Sequence, residues 1–358
     1  MLYREYGRTG KKVSLLGFGG MRFANADDRD ECTRMMVEAA QGGVNYFDTA
    51  PLYCDGKSEA VYGNGFKELR RLGLPFFCST KTFSSKRDDI RREIDAQLTR
   101  LGVDVIDFYH IWCVSRLENW HARKNDGILD TFRELKEEGL VRHICVSSHL
   151  IGDEIRELLT EEAFEGVLFG FSAYNFKYRE AALKAIGERN LGAVVMNPLG
   201  GGVIPRNEEL FASIKRPGES ITAAALSFIW DHPEITCSIV GFDTFDHVKD
   251  ALAAMNDYKP RSPTQLAEVK SGTGTTFEGI CTGCAYCDDC PAGIPIPKLM
   301  DAYNHKIFSD DNKAMEERLK WHWNLDKSAA ADCISCGNCE EACTQHLKII
   351  DRLKEIAS

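Results

Sequence analysis

The residues best suited to chemistry lie near the C-terminus, where eight cysteines fall into two groups. Within each group, successive cysteines are mostly separated by two other residues. This spacing can place three thiolates on one tight loop, at three corners of a four-iron cubane, while the fourth iron takes a more distant thiolate. The first group is Cys281, Cys284, Cys287 and Cys290, and the second is Cys333, Cys336, Cys339 and Cys343.

The order of the cysteines predicts which of them share a cluster. In two-cluster ferredoxins, the fourth cysteine of each run binds the other cluster. We therefore expect one [4Fe-4S] cluster on Cys281, Cys284, Cys287 and Cys343, and a second on Cys333, Cys336, Cys339 and Cys290. Structural zinc sites are the alternative, although they usually take their cysteines as two separated pairs. Two clusters favour electron transport, because an electron relay passes charge from one redox centre to the next. A purely structural role stays open.

Four polar residues farther upstream lie at or just after the ends of predicted buried strands. Asp48, Lys81 and His110 each close one strand, and Tyr53 lies on the loop after Asp48. In a barrel of parallel strands, the carboxyl ends form the rim that carries the active site. A phenol is a weak acid–base catalyst at neutral pH unless an ammonium group stabilises its phenolate. With a carboxylate to hold the ammonium and an imidazole to orient a substrate oxygen, the set predicts protonation of a carbonyl during hydride transfer.

The elements that position these residues alternate between apolar runs and amphipathic stretches. The predicted strands are near-continuously apolar, as in a buried parallel sheet, and include 44–48, 76–81, 105–110, 143–147, 167–171, 193–197 and 236–241. Repeated strand–helix units predict an α/β fold, a (β/α)8 TIM barrel with an N-terminal β-hairpin. An open doubly wound sheet is the alternative, but Gly17–Gly20 lacks the third glycine of a dinucleotide-binding turn.

Changes in composition along the chain predict its domain organisation. We expect the barrel over residues 1–258, then a linker over 259–280 that is rich in proline, glycine, serine and threonine. A small, mainly helical, ferredoxin-like iron–sulfur domain should follow over 281–358. The segment from Cys113 to Asp126, which contains Trp120 and His121, is either a substrate lid or a surface loop pinned by tryptophans.

The overall charge and the cysteine count limit the class of protein. A formal net charge of −10 argues against nucleic acid or an anionic membrane as the main partner. No run approaches the roughly eighteen apolar residues of a membrane span, and the N-terminus lacks the apolar core of a signal peptide. Fourteen cysteines without a secretion signal predict a reducing cytoplasm and metal binding rather than disulfides.

The barrel region resembles the aldo-keto reductase family. The matching stretches are residues 47–53, 56–59, 79–81, 107–110 and 197–200. With its tail, the chain is similar to the branch of that family that carries a C-terminal ferredoxin-like module with two [4Fe-4S] clusters. The resemblance implies Tyr53 as general acid and base, Lys81 and Asp48 as the residues that tune it, and His110 as the residue that orients the substrate.

The resemblance also implies a set of nicotinamide-binding positions: Gly20, Met21, Ser147, Ser148, Asn197, Leu199, Gly241, Asp243 and His247. Ser147 and Ser148 replace the usual Ser-Asn pair, Phe171 replaces the usual glutamine, and Met196 replaces a frequent aromatic residue. Asp243 lies where relatives commonly offer a basic side chain to the 2′-phosphate of NADP. Because a carboxylate repels that phosphate and accepts a ribose hydroxyl, we expect NAD(H) rather than NADP(H).

Together these features predict an oxidoreductase that exchanges hydride between a nicotinamide cofactor and a small carbonyl or alcohol substrate. The clusters would couple the barrel to a one-electron partner, such as a carrier of the ferredoxin or flavodoxin type. Two alternatives stay open. One is a cluster-fed one-electron reductase without tightly bound nicotinamide, and the other is a non-catalytic electron-transfer subunit whose barrel serves as a docking platform.

Overall fold

The computed structural model describes residues 1–150, 152–273 and 279–358. The chain divides into two compact units. The first comprises Met1–Leu199 and Ile214–Gly272, and the second comprises Gly200–Ser213 and Thr273–Ser358.

Eight parallel strands close the first unit into a barrel, which confirms the predicted fold. The barrel strands are β3 (Leu16–Gly19), β4 (Tyr46–Asp48), β5 (Phe77–Thr82), β6 (Ile106–Val114), β7 (Val141–Ser148), β8 (Gly166–Gly170), β9 (Gly192–Met196) and β10 (Cys237–Gly241). They pair in chain order, and β10 closes the ring by pairing with both β9 and β3. The predicted N-terminal hairpin is also present, as β1 (Tyr3–Glu5) paired antiparallel to β2 (Lys12–Ser14).

Helices connect the strands and build most of the second unit. The α-helices are α1 (Arg29–Gln41), α2 (Ser58–Arg71), α3 (Arg87–Leu101), α4 (Leu117–Asn125), α5 (Ile128–Glu137), α6 (Gly152–Leu158), α7 (Phe176–Glu188), α8 (Val203–Arg206), α9 (Ile221–Trp230), α10 (Phe245–Asp257), α11 (Pro263–Gly272), α12 (Ile296–Ser309), α13 (Asn312–Glu317), α14 (Asn338–Glu341) and α15 (Ile349–Ala357). A π-helical turn spans Arg318–His322, and 3-10 turns span Gly7–Thr9, Gly200–Gly202, Glu208–Ile214 and Lys327–Ala330. Among the helices of the described residues, none has the length and apolar character that a membrane crossing requires.

Tyr6, which follows the hairpin's first strand, plugs the N-terminal end of the barrel. Its side chain is fully buried and packs on Phe108, with ring centroids 4.1 Å apart. Strands β8 and β9 both begin with glycine, and a Cβ at Gly166 or Gly192 would lie 2.1 or 2.2 Å from the Tyr6 side chain. The two glycines therefore leave the space that the tyrosine fills.

The second unit has a core of its own, which includes cysteine side chains. Helices α12 and α15 supply Leu299, Met300 and Leu353, all fully buried, and Cys339 and Cys343 lie in the same cluster of buried residues. Helices and loops make up this unit, as expected for the iron–sulfur domain. Because Cys339 and Cys343 pack within this core, the groups they would bind adjoin the interior of the unit.

The expected linker over 259–280 differs from the observed structure. Residues 263–272 form helix α11 within the first unit, and residues 274–278 lie outside the described part of the chain. Arg261 is buried and anchors the helix, because its Nη1 donates to Asp231 Oδ2 at 2.6 Å. The predicted boundary at residue 258 therefore falls too early. The first unit is also discontinuous in sequence, since residues 200–213 group with the C-terminal unit.

Candidate active site and cysteine sites

Asp48 and Lys81 form a buried ion pair between two neighbouring barrel strands. Lys81 Nζ donates to Asp48 Oδ2 at 2.6 Å and to the Thr49 carbonyl oxygen at 2.7 Å. The two charged side chains are 0% and 1% exposed. Burial lowers the pKa of Lys81 and raises the pKa of Asp48, and each charge opposes the shift of the other. The pair therefore holds an ammonium at a fixed position on the rim.

Ser79 connects this ion pair to His110. Its hydroxyl donates to Asp48 Oδ1 at 2.8 Å, and His110 Nε2 lies 3.1 Å from the same hydroxyl oxygen. The strand register explains the hydrogen bond between Ser79 and Asp48, because the two residues pair across β4 and β5. Burial, and then the positive charge of Lys81, lower the pKa of His110 well below its usual value. At neutral pH His110 is therefore an uncharged imidazole that can hydrogen-bond without adding charge.

Tyr53 lies over the ammonium of Lys81. The Nζ atom is 5.1 Å from the centre of the phenol ring, and the Tyr53 side chain is partly exposed. Trp112 meets the ring edge-on, with centroids 5.6 Å apart, and stacks on Phe83 at 4.0 Å. The structure thus brings together all four residues predicted from the strand ends and adds an aromatic wall beside the phenol.

The predicted strand end at His110 was too early. Strand β6 continues to Val114, with an irregularity in its pairing between Ile111 and Val114 and a positive φ of 56° at Cys113. This extension places Trp112 beside Tyr53. The following segment folds as α4, whose Trp120 is 2% exposed and packs on Phe164, with ring centroids 5.6 Å apart. The pinned-loop alternative for residues 113–126 thus describes this segment better than a free lid.

The predicted nicotinamide positions lie at or beyond the carboxyl ends of four strands, on the same rim as Tyr53. Gly20 and Met21 follow β3, Ser147 and Ser148 end β7, Asn197 and Leu199 follow β9, and Gly241, Asp243 and His247 end or follow β10. Three of these side chains already have partners in the chain. The Ser148 hydroxyl accepts from Leu150 N at 3.2 Å, and Asp243 pairs with His247 in the first turn of α10.

The rim residues have the chemistry that a dinucleotide needs. Ser147 offers a hydroxyl at the end of β7, and Asn197, which follows β9 directly, offers an amide on a backbone with φ of 56°. Thr244 caps α10 by accepting from His247 N at 3.3 Å, and helix N-termini favour phosphate groups. The residues present therefore fit a nicotinamide dinucleotide.

The first cysteine site contains the four residues that we assigned to one cluster. Beyond the effect of burial, Cys281, Cys284 and Cys343 all lie near enough to Cys287 to raise the pKa of its thiol, and Cys284 and Cys343 act on Cys281 in the same way. Backbone amides point at two of the sulfurs: Gly283 N donates to Cys281 Sγ and Leu347 N donates to Cys343 Sγ, each at 3.4 Å. Amide donors to sulfur are a regular means of tuning iron–sulfur clusters.

The second cysteine site is a cavity that is partly open to solvent. Its walls include Cys290, Cys333, Cys336 and Cys339, the other four cysteines of our assignment. Ile294, Ile296 and Leu353 supply its apolar lining. The chain thus brings together the same two sets of four that the swapped fourth cysteine predicts.

The chemistry of both sets fits iron–sulfur clusters. Burial raises the pKa of Cys281 to about 12 and that of Cys339 to about 11, so these thiolates need a nearby positive charge at neutral pH. Iron supplies that charge. Within the described residues, no three His, Cys, Asp or Glu side chains form a group that fits a single metal ion. A cubane holds its thiolates at separate corners, so this spacing suits clusters better than isolated zinc ions.

Comparison with known proteins agrees with both units. Residues 15–271 match the aldo/keto reductase family. The chain belongs to the aldo/keto reductase family. Residues 280–349 match a 4Fe-4S dicluster domain. This chain is thus an aldo/keto reductase-family oxidoreductase with a C-terminal iron–sulfur domain.

The alignments between this chain and curated relatives cover most of each relative's length. The uncharacterized oxidoreductase YrpG of Bacillus subtilis is 26% identical over 303 residues, which cover 71% of this chain and 91% of the relative. L-galactose dehydrogenase of Arabidopsis thaliana is 25% identical over 302 residues, which cover 75% and 93%. The holo form of aldo-keto reductase AKR11C1 from Bacillus halodurans superposes with a TM-score of 0.67 at 22% identity, over 78% of this chain and 99% of that one. The latter likeness establishes the shared fold.

Two residues of this aldo/keto reductase site were not identified from sequence as part of the catalytic group. Ser79 lies two residues before Lys81 on the same strand, and alternate strand residues share a face. The two-residue spacing from Lys81 could therefore have identified Ser79 as part of the catalytic group. Trp112 could not be placed beside Tyr53, because an extension of β6 through an irregular register leaves no simple sequence pattern.

Proposed function

We propose that the barrel exchanges hydride between a nicotinamide cofactor and a small carbonyl or alcohol substrate, and that two [4Fe-4S] clusters couple this exchange to a one-electron partner. The observation that carries the proposal is the buried Lys81–Asp48 pair, whose ammonium lies 5.1 Å from the ring centre of Tyr53. An ion pair with both side chains out of water costs desolvation energy, so its place beneath a partly exposed phenol favours a catalytic role.

In this proposal, Tyr53 donates its phenolic proton to the carbonyl oxygen during reduction and takes the proton back during alcohol oxidation. The Lys81 ammonium stabilises the phenolate that remains, and Asp48 holds the ammonium in place. His110, kept neutral by burial, orients the substrate oxygen as a hydrogen-bonding group. Trp112 and Phe83 cover one side of the phenol with apolar surface. A bound nicotinamide would supply or accept the hydride at carbon.

For the cofactor we favour NAD(H) over NADP(H). Asp243 lies at the N-terminus of α10, where it pairs with His247. A carboxylate at this turn repels a 2′-phosphate and accepts a hydrogen bond from a ribose hydroxyl. Ser147 and Asn197 are the side chains that we assign to the nicotinamide end. Gly20, Met21, Ser148, Leu199 and Gly241 would line the site through backbone or packing contacts.

The clusters are assigned to the two cysteine sites: Cys281, Cys284, Cys287 and Cys343 for one, and Cys333, Cys336, Cys339 and Cys290 for the other. Two clusters that each carry one electron match the two electrons of one hydride. The partner would be a one-electron carrier protein. A cluster-fed one-electron reductase stays the second candidate, because Phe171 and Met196 replace side chains that relatives use near the nicotinamide.

The proposal is tested by NADH- and NADPH-dependent reduction of a panel of aldehydes and ketones under anaerobic conditions. We expect Tyr53→Phe to lower kcat by about 10²- to 10⁴-fold, the usual contribution of a positioned acid–base group. Tyr3→Phe removes a phenol that donates to the Gly43 carbonyl on the hairpin side, and should leave kcat unchanged. Deuterium from 4-deuterated NADH should appear on the product carbon. Turnover without that label would instead support the one-electron candidate.

A further inference from the structure

The two cysteine sites differ in their access to solvent. At the first, Cys343 is 7% exposed, and the neighbouring Thr282 and Thr344 are 3% and 0% exposed. At the second, Cys336 is exposed, and the cavity opens to solvent. Electron transfer to a separate molecule takes place where a cluster comes nearest to the surface. The second site is therefore the better place for exchange with a partner.

An apolar side chain stands at the mouth of the second site. Ile334 lies between Cys333 and Cys336, lines the cavity, and is 66% exposed. A single exposed apolar side chain is common on protein surfaces, so Ile334 matters here for its position on the wall of the cysteine-lined cavity. Pro291 and Asn338 are exposed beside it on the same cavity wall. We call Ile334, Cys336, Pro291 and Asn338 the cluster face.

The loops that carry the cysteines have charge of one sign only. Residues 281–291 and 332–343 contain Asp288, Asp289, Asp332, Glu340 and Glu341, and no lysine or arginine. Glu340 accepts from Ile350 N at 2.9 Å and so is tied inward, whereas the other four are exposed.

Two basic side chains on adjoining elements are engaged within the chain, and Lys348, which directly precedes α15, is exposed. Lys354 lies 3.7 Å from Asp351, and Lys327 donates to the Ser358 carbonyl oxygen at 3.0 Å. A cluster held by four thiolates adds further negative charge to this face.

From the exposed cysteine, the apolar side chain at its mouth and the acidic rim, we propose that the cluster face docks a one-electron carrier protein whose own docking face is basic around an apolar centre. The cluster on Cys290, Cys333, Cys336 and Cys339 is then the redox centre that exchanges electrons with that carrier. This inference rests on the proposed electron coupling and adds to it the site and the charge of the partner. A carrier with an acidic docking face is repelled by the same rim.

The test uses two redox proteins of opposite charge as probes, cytochrome c (basic) and plastocyanin (acidic). Cluster-loaded full-length protein is reduced with dithionite, freed of excess reductant, and mixed anaerobically with each probe while cluster absorbance is followed. We expect reoxidation by cytochrome c to be about tenfold faster or more at low ionic strength, with the advantage falling as salt shortens the screening length. Each probe gains one electron and the cluster loses one.

Variants locate the effect on the cluster face. Asp332→Lys combined with Ile334→Lys should slow the reaction with cytochrome c by about tenfold or more at low salt. Glu316→Lys, on exposed α13 outside the cysteine loops, alters the net charge in the same sense and should leave the rate within about twofold. Iron content and the cluster absorbance of each variant verify that the clusters are in place.

The possible outcomes distinguish docking at the cluster face from electron coupling in general. Equal rates with both probes, a faster reaction with plastocyanin, or equal effects of the double variant and Glu316→Lys would overturn the docking proposal while leaving the electron coupling intact. Loaded clusters that dithionite reduces but that exchange with neither probe would instead overturn the electron coupling itself.

Discussion

Replacing Asp48 with asparagine removes the charge that holds Lys81 and changes little else in shape. The carboxylate is the partner of Lys81 Nζ at 2.6 Å, while the Thr49 carbonyl oxygen at 2.7 Å remains in the variant. The result is a buried ammonium without a counter-charge. Because burial already lowers the pKa of Lys81 in the native protein, loss of Asp48 lowers it further.

The size of the expected stability loss follows from the burial of the ion pair. Removing one partner of a buried ion pair costs about 3–5 kcal/mol of stability, and the two side chains here are 0% and 1% exposed. The Thr49 carbonyl still accepts from Lys81, so we expect a loss near the lower limit, about 3 kcal/mol. With Lys81 less able to stabilise the phenolate of Tyr53, kcat should fall by about 10²- to 10⁴-fold.

The pH dependence of the loss has a definite sign. The folded-state pKa of Lys81 lies below its unfolded value, near 10.4, so between the two values the unfolded chain binds more protons than the folded chain. The free energy of unfolding therefore rises with pH across that window. In Asp48→Asn the folded-state pKa of Lys81 is lower still, so the pH range between its folded and unfolded values is wider. The stability that the variant has lost relative to the native protein should therefore shrink from neutral pH towards about pH 10.

Urea unfolding at several pH values and anaerobic turnover assays measure both effects. Asp107→Asn is the matched control, because it breaks a carboxylate–arginine pair, Asp107 with Arg142 at 2.6 Å, near the amino ends of β6 and β7. It should cost stability and leave kcat unchanged. Native-like unfolding of Asp48→Asn, or a stability deficit that grows as pH rises, would contradict a buried Lys81 ammonium that depends on Asp48.

Three other changes probe the rest of the structure. Gly192→Ala would place a Cβ 2.2 Å from the Tyr6 ring and should cost about 1–3 kcal/mol in urea unfolding; an unchanged midpoint would contradict the plug at the barrel end. Cys343→Ser should lose one of the two clusters by iron analysis and electron paramagnetic resonance, whereas Cys54→Ser in the barrel should keep both; equal iron in both variants would contradict our ligand assignment. Asp243→Asn should raise the ratio of NADPH to NADH kcat/KM by roughly fivefold, from the loss of about 1 kcal/mol of charge repulsion, and an unchanged ratio would remove Asp243 from cofactor discrimination.

The rim and the grouping of cysteines could be predicted from sequence because simple rules connect both to position. Parallel strands end at one rim, so Asp48, Lys81 and Tyr53 had to lie near one another once the strands were recognised. The cysteine spacing restricts how two loops can share two cubanes. Neither inference depends on the details of packing.

Other features depended on local chemistry that the sequence pattern concealed. Residues 259–263 are rich in proline and charge and resemble a linker, yet Ser262 and Gln265 form a capping box: Gln265 N donates to Ser262 Oγ at 3.2 Å, and Ser262 N donates to Gln265 Oε1 at 2.9 Å. With Pro263 at the first helical position, this signal could have identified α11. Ser148, assigned to the cofactor by resemblance, has a hydroxyl occupied by the Leu150 amide, which only the folded chain reveals.

In the proposed function, the hydride chemistry of the barrel and the clusters of the tail share one electron path. The most direct measurement is an anaerobic titration of cluster-loaded protein with NADH and with NADPH, followed by cluster absorbance and electron paramagnetic resonance. We expect NADH to bleach the clusters and to produce the signal of reduced [4Fe-4S] centres. Clusters that stay oxidised with either nicotinamide, but that dithionite reduces, would contradict the shared path.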